Sequence, residues 1–386
     1  MRVSKAFIIL SISGLLAILS STMSKSPTLP LFAKHLGISK GELGFIAAAS
    51  TVTGIIVNVT AGTLSDIYGR MRLLVASGFF FASSPFLYLL VTDAWQLALI
   101  RAYHGIATAT FTPVAMALVA DMYKSRRGEM MGLFSSATMI GRLLAPSIAG
   151  LIISLASFNE AYIACGLFGV ASFIALFNIP TFDFEKKYDR ALTRKVSKAI
   201  FSSELIAASS IMAVTYFAMQ SLETFLPLYM EDREIEPWLI GITFTIQLLI
   251  ITILKPYAGK LSDRVGRIKT ITAGLIISSA GIIGISFSSN YATLMLSIAV
   301  FSVGVAFSTA STPPLISELV SEEERGVAIG AMETIKDIGQ ASGPIITGII
   351  LTYMKFEIAL AIITALLIAV IPIIYVKIKA SNKVLN

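Results

Sequence analysis

Charge is what this sequence lacks most. Of its 386 residues only 14% are Asp, Glu, Lys or Arg, 55% are hydrophobic, and the mean hydropathy is +0.82. Soluble domains carry about a quarter charged residues, so this composition excludes a freely dissolved globular protein. Cysteine is nearly absent: Cys165 stands alone in an apolar run, which excludes a disulfide framework or a thiolate metal site. Only two histidines, His35 and His104, are present, and no metal-ligand cluster accompanies them, so no metal or cofactor is expected. No Gly-x-x-x-x-Gly-Lys-Ser/Thr run exists to cradle a nucleotide phosphate and no hydrolase triad stands out, so an enzyme is not expected. The net charge of +7 does not point to nucleic acid, because the basic residues are scattered between apolar stretches rather than gathered on a face.

What the sequence has instead is long apolar runs. A bilayer core takes about 20 residues of helix. Runs of that length predict twelve spans, at 6–30, 43–62, 72–92, 95–120, 128–154, 159–179, 204–230, 238–259, 269–287, 291–316, 327–352 and 356–376. Serine, threonine and glycine recur inside them, as in helices that approach closely in lipid. The first run is too long for a signal-peptide core and eleven more follow it, so cleavage is not expected. With the N-terminus placed in the cytoplasm, 21 of the 30 lysines and arginines fall on the cytoplasmic side. Only Lys34, Lys40, Arg233 and Lys355 fall outside. That asymmetry predicts a multi-pass protein of the plasma membrane, with the bilayer as its partner and both termini inside. The longest charged link is 181–203, so the expected domains are an N-terminal six-helix bundle (1–180), this cytoplasmic linker, and a C-terminal six-helix bundle (204–386).

The two halves repeat one another. Leu29-Pro30-Leu31-Phe32 aligns with Leu226-Pro227-Leu228-Tyr229, and Gly62-Thr-Leu-Ser-Asp66-Ile-Tyr-Gly69-Arg70 with Gly259-Lys-Leu-Ser-Asp263-Arg-Val-Gly266-Arg267, each at an offset of 197. Gly132, Gly141, Pro146 and Gly150 then align with Gly330, Gly339, Pro344 and Gly348 at 198. Parallel six-helix repeats are a transporter architecture, with substrate and coupling-ion sites near the midplane. A channel is expected to build its pore by oligomerisation, whereas this duplication suits alternating access in one chain. A monomer is therefore expected.

These motifs resemble those of the major facilitator superfamily. Gly-x-Leu-Ser-Asp-x-x-Gly-Arg between spans two and three, and again between eight and nine, is similar to the family's signature loop. Arg101 to Gly105 is similar to its Arg-x-x-x-Gly motif on the fourth helix. Gly141 to Gly150, with Pro146, resembles the helix-five antiporter motif, with alanine at two glycine positions; Gly339, Gly343, Pro344 and Gly348 on span eleven match that pattern more fully. The resemblance covers almost the whole chain. It implies an all-α integral membrane fold of twelve transmembrane helices in two pseudo-symmetric six-helix bundles, the major facilitator fold. It also implies that contacts of the signature loop lock the cytoplasmic side shut.

The candidate residues follow from position. At the cytoplasmic gate are Gly62, Asp66, Gly69, Arg70 and Asp121, with their repeat counterparts Gly259, Asp263, Gly266, Arg267 and Glu318. Arg70 is expected to pair with Asp121, Arg267 with Glu318, and Asp66 to reach the start of span eleven, whose N-terminal dipole favours a carboxylate. Charges embedded in the spans normally face a cavity or a partner. The bases are Lys25, Arg101, Arg142, Lys255 and Lys336; the acids are Glu223, Glu333 and Asp337. Helical spacing predicts polar stripes on four spans: Arg101, His104 and Thr108 on span four; Arg142 and Pro146 on five; Tyr216, Gln220 and Glu223 on seven; Glu333, Asp337 and Gln340 on eleven. Lys25, Arg101, Thr108, Arg142, Tyr216, Gln220 and Gln340 are the expected substrate-cavity residues. Lys25 and Glu223 are expected to meet when the outside is closed. For proton coupling the order of preference is Asp337, with Glu333 one turn before it, then Glu223, then His104.

The functional expectation is a secondary active transporter exchanging protons for hydrophobic or amphipathic small molecules. Span one carries Lys25 and no acid, unlike many drug antiporters of the resembling family, and the embedded charges sum to a positive cavity. That departure keeps open a proton-coupled carrier of an organic anion or metabolite, including an uptake carrier. A non-transporting sensor on the same scaffold is the remaining alternative.

Overall fold

The computed structural model describes residues 4–180 and 202–379. The 181–203 link, apart from Ser202 and Ser203, lies outside the described residues, as does Lys383. Every regular element among the described residues is helical. Span one is Lys5–Met23 followed by Thr28–His35. Spans two to six are Lys40–Tyr68, Arg70–Leu87, Ala94–Met122, Arg127–Leu155 and Phe158–Phe177. Spans seven to twelve are Ser203–Glu231, Pro237–Val265, Arg267–Ser286, Tyr291–Glu318, Arg325–Tyr353 and Phe356–Ile374. Eleven of them are long and apolar enough to cross a bilayer on composition alone. The other, Arg325–Tyr353, is 29 residues long but carries Glu333, Lys336 and Asp337.

Two departures from the sequence expectation have physical causes. Span one is not one unbroken helix: it ends at Met23, turns through Ser24–Pro27 and restarts at Thr28. Pro27 has no N–H to continue the first segment. The Thr28 hydroxyl donates to the Met23 carbonyl at 2.6 Å, satisfying an acceptor in the break. Spans two and eight run to Tyr68 and Val265, past the expected ends at 62 and 259. Their last turns leave the apolar run yet keep helical hydrogen bonds, so hydropathy alone cut them short. The Gly69 N–H, for example, donates to the Ser65 carbonyl at 3.1 Å. The reversal into the next span takes a single residue, Gly69 at φ +96° or Gly266 at φ +103°, backbone angles that a side chain disfavours.

Side-chain caps start the helices where the apolar runs begin. Ser39 and Glu42 form a capping box on span two, Asp93 accepts from Gln96 N–H on span four, and Asn290 caps span ten. Inside the bundles small residues allow close approach: a Cβ on Gly105 would lie 2.6 Å from the Ser50 carbonyl oxygen, and one on Gly274 2.7 Å from Ser308 N. Aromatics fill the N-terminal core, where Phe81, Phe111 and Phe134 are fully buried. By contact the chain divides into two compact units. One holds spans one to six with Glu223–Thr245; the other holds the rest of spans seven and eight with spans nine to twelve. This division differs from the repeat boundary because the end of span seven and the start of span eight, Glu223–Thr245, group with the first unit.

Candidate functional site

The break in span one sets Lys25 at a turn, where its side chain reaches span seven. Its Nζ donates to Glu223 Oε2 at 3.0 Å, with each side chain about a quarter exposed (26% and 27%). Further out, Lys34 Nζ lies 3.1 Å from Glu231 and 2.6 Å from Asp232 at the end of span seven. Lys34 and Glu231 are themselves repeat equivalents, at the same offset of 197 as the flanking Leu-Pro-Leu segments. Opposite charge at equivalent positions turns a like-with-like meeting into an attractive one. Two tiers of ion pairs thus join span one to the end of span seven.

Near Ser24 lies a buried polar group on span four and the turn that precedes it. Arg101 is 3% exposed; its Nη2 donates to Ser50 Oγ at 2.8 Å and its Nη1 to the Tyr88 hydroxyl at 3.4 Å. No carboxylate neutralises it among the described residues. His104 is equally buried, with Nδ1 3.4 Å from the Tyr88 hydroxyl and 3.5 Å from Ser24 Oγ. Tyr88 stacks on Tyr162 with centroids 4.5 Å apart. Spacing puts Arg101, His104 and Thr108 on a cavity-lining stripe, but the first two are packed inside the bundle. Thr108, half-buried, pairs with Ser21 at 3.2 Å. Arg142 on span five is exposed and makes no hydrogen bond or ion pair among the described residues.

The glycines of span five are contact points. A Cβ on Gly141 would collide with the Leu15 carbonyl of span one, and one on Gly150 with the Pro237 carbonyl of span eight. Gly241 of span eight approaches the carbonyl of Pro146 in the same way. Ala145 and Ala149, at the two motif positions without glycine, are fully buried with Leu19 and Met23 of span one. Span eleven makes a similar contact: Gly339 abuts Ala213 of span seven, one residue past the repeat counterpart of Leu15, and Gly343 abuts Phe217. Pro344 and Gly348 are buried beside it, and Thr347 donates to Ser221 Oγ at 2.8 Å.

At the turns between spans two and three and between spans eight and nine, the two signature loops have matching geometry. Arg70 Nη1 lies 2.6 Å from Asp66 Oδ1, and Nε donates to Asp121 Oδ2 at 3.2 Å. Arg267 pairs with Asp263 and donates through Nε to Glu318 Oε1 at 3.0 Å. Each arginine also donates to a serine of its motif, Ser65 or Ser262. A Cβ added to Gly62 or Gly259 would meet nothing within 4 Å, so their place in the motif is not a packing requirement.

The family model described as Major Facilitator Superfamily matches residues 10–244 and 212–386, the second stretch overlapping the first. The chain belongs to that superfamily. It is therefore a multi-pass membrane transporter of the twelve-span fold. An uncharacterised MFS-type transporter of Methanocaldococcus jannaschii is 28% identical over 331 residues, 84% of this chain and 85% of that protein. The quinolone resistance protein NorA of Staphylococcus aureus is 26% identical over 359 residues, 89% of this chain and 91% of its own. Among solved structures, the nucleoside transporter NupG superposes with a TM-score of 0.81 at 12% identity, over 97% of this chain and all of that one. At that identity it speaks for the superfamily fold alone.

On span eleven of this superfamily member, Lys336 bridges Glu333 and Asp337, at 3.2 Å from the latter. Its ammonium also lies 5.3 Å from the ring centre of Tyr216 on span seven, a cation–π contact. Gln340 follows one turn later, half-buried, and Gln220 of span seven is 5% exposed. Lys255, also expected within a span, is exposed on span eight. The pairs of Lys34 and the Tyr88 partner of Arg101 are not singled out by any motif. The offset of 197 between Lys34 and Glu231 is the available signal for the first; nothing in the sequence marks Tyr88 as the partner of Arg101.

Proposed function

We propose that this transporter works by alternating access of two six-helix bundles, 1–180 and 204–386, and exports hydrophobic or amphipathic small molecules in exchange for protons. It would act as a monomer in the plasma membrane with both termini cytoplasmic. The observation that carries this reading is the full-length similarity to NorA, a quinolone resistance protein, in a chain that has the span-five glycine and proline pattern. The packing is consistent with it: Gly141, Gly150 and Gly241 bring backbones together without interlocking side chains, which suits surfaces that re-form in each cycle.

The carboxylates available for proton coupling are Asp337 and Glu333, which share Lys336, and Glu223, which holds Lys25. Each is charge-compensated by a lysine. Protonating the acid removes the attraction, so a proton and an ion pair exclude one another, and that exclusion links protonation to conformation. Asp337 is the first choice because it lies deeper in the span than Glu333. The paired loops at Arg70 and Arg267 are assigned to the cytoplasmic gate.

A second reading, carriage of an organic anion, is favoured by Arg142 and Arg101, two embedded cations with no carboxylate partner among the described residues. Purified protein in liposomes under an imposed pH gradient, offered an amphipathic cationic dye and an organic anion in parallel, tests both. Gradient-driven uptake of neither removes the efflux reading.

A further inference from the structure

Spans five and eleven meet spans one and seven through matched glycines, Gly141 and Gly339. Four positions beside the second contact nevertheless have no chemical counterpart beside the first. At the offset of 198, Glu333, Lys336 and Asp337 correspond to Ser135, Thr138 and Met139; at 197, Tyr216 corresponds to Leu19. The fold can therefore build this helix contact without charge or ring, and the charged set in the C-terminal half serves something other than packing.

The Lys336 side chain is 16% exposed, so its ammonium is mostly covered. It bridges Glu333 and Asp337, at 3.2 Å from the latter, and lies 5.3 Å from the centre of the Tyr216 ring. The two acids are its neighbours on span eleven, whereas the ring comes from span seven in the same compact unit. A ring face with two carboxylates is a set of groups that holds any ammonium. Two acids against one base leave the set negative, so it still attracts a cation.

We propose that Tyr216, Glu333 and Asp337 form a site for a protonated amine on the transported molecule, and that Lys336 occupies it as a tethered stand-in. The claim rests on the efflux reading and narrows it to amphipathic compounds with an ammonium N–H. A protonated amine can donate to the carboxylates and lie over the ring, whereas a quaternary nitrogen has no proton to donate. An entering amine must displace Lys336. The lysine thus raises the affinity a cation needs to enter, and it keeps the carboxylates paired between cycles.

The test compares binding of three dansyl probes to the purified full chain in detergent. They are dansylcadaverine (a primary ammonium), its N-trimethyl derivative (a quaternary ammonium) and N-pentyl dansylamide (neutral). Each cation's affinity is expressed relative to that of the neutral probe. In Lys336→Gln protein the relative affinity of dansylcadaverine should rise about tenfold or more, the effect of a charge-assisted contact freed from a competitor, and that of the trimethyl derivative should rise less. Lys336→Arg, which keeps a tethered cation, should show little of the rise. Tyr216→Leu added to Lys336→Gln should take back about 2- to 30-fold of it. If Lys336→Gln does not remain monodisperse, Lys336→Met carries the same comparison. No rise, an equal rise for both cations, or a rise that Tyr216→Leu leaves intact overturns the proposal and leaves the efflux reading standing. If none of the three probes binds either protein, the efflux reading and this proposal fall together.

Discussion

On the reading that the Lys25–Glu223 pair holds the outside closed, removing it should open the outside by a measurable amount. At 3.0 Å and an effective dielectric of about 20, the Coulomb attraction between Lys25 and Glu223 is about 5 kcal/mol before costs. Desolvation of two charges and the immobilisation of a lysine take back most of it, so a quarter-exposed pair retains about 1–2 kcal/mol. That corresponds to a roughly 5- to 30-fold change in the ratio of outside-closed to outside-open molecules. Ser26 reports it well, being 1% exposed next to Lys25, with a hydroxyl that has no hydrogen-bond partner to lose. In a Cys165→Ala background, Ser26→Cys should react with an impermeant maleimide from outside about 5- to 30-fold faster when Lys25→Ala or Glu223→Gln is added. The double variant should react no faster than the quicker single one, because either change removes the same contact. Multiplying effects, or unchanged labelling in both single variants, would refute the coupling.

Three further outcomes follow from the contacts. Gly339→Ala should lower thermal stability by about 1–3 kcal/mol, since the added carbon lies 2.6 Å from backbone atoms of Ala213, while Gly62→Ala, with nothing within 4 Å, should leave the melting temperature unchanged. Asp66→Asn and Asp121→Asn each remove one partner of Arg70 and should slow transport while the protein remains monodisperse in detergent; full transport by both would remove the gate role. Asp337→Asn should abolish gradient-driven accumulation yet preserve substrate exchange at equal pH, and an unchanged pH dependence would show that Asp337 is not the proton carrier.

The spans and the signature loops were legible because they depend on local signals: apolar length, charge asymmetry and a repeat with a fixed offset. Gly69 and Gly266 could be placed at the turns from the motif alone, and the pairing of Arg70 with Asp121 followed from matched positions in the two halves. The break in span one was hidden because the run of apolar residues continues through it, although Pro27 and Pro30 mark the spot. Arg101 and His104 show the limit of helical spacing. It puts them on one face correctly but says nothing of what covers that face, and here Tyr88 contacts both, with Tyr162 stacked on Tyr88. The partners of Lys336 were legible at three and one residues' distance, whereas the ring of Tyr216 comes from another span. Contacts between spans were legible where charge and repeat position marked both ends, as for Lys25 with Glu223, Arg70 with Asp121 and Arg267 with Glu318, and the repeat offset of 197 also relates Lys34 to Glu231.

The central claim is that proton flow drives amphipathic substrates the opposite way. Liposomes containing the purified protein, with an acidic lumen and a neutral exterior, test it most directly through accumulation of a fluorescent amphipathic substrate. Exchange predicts uphill accumulation in the lumen that collapses when nigericin dissipates the gradient, and none in liposomes carrying Asp337→Asn protein. Accumulation that ignores the gradient, or that occurs only with an alkaline lumen so that substrate and proton travel together, would contradict it.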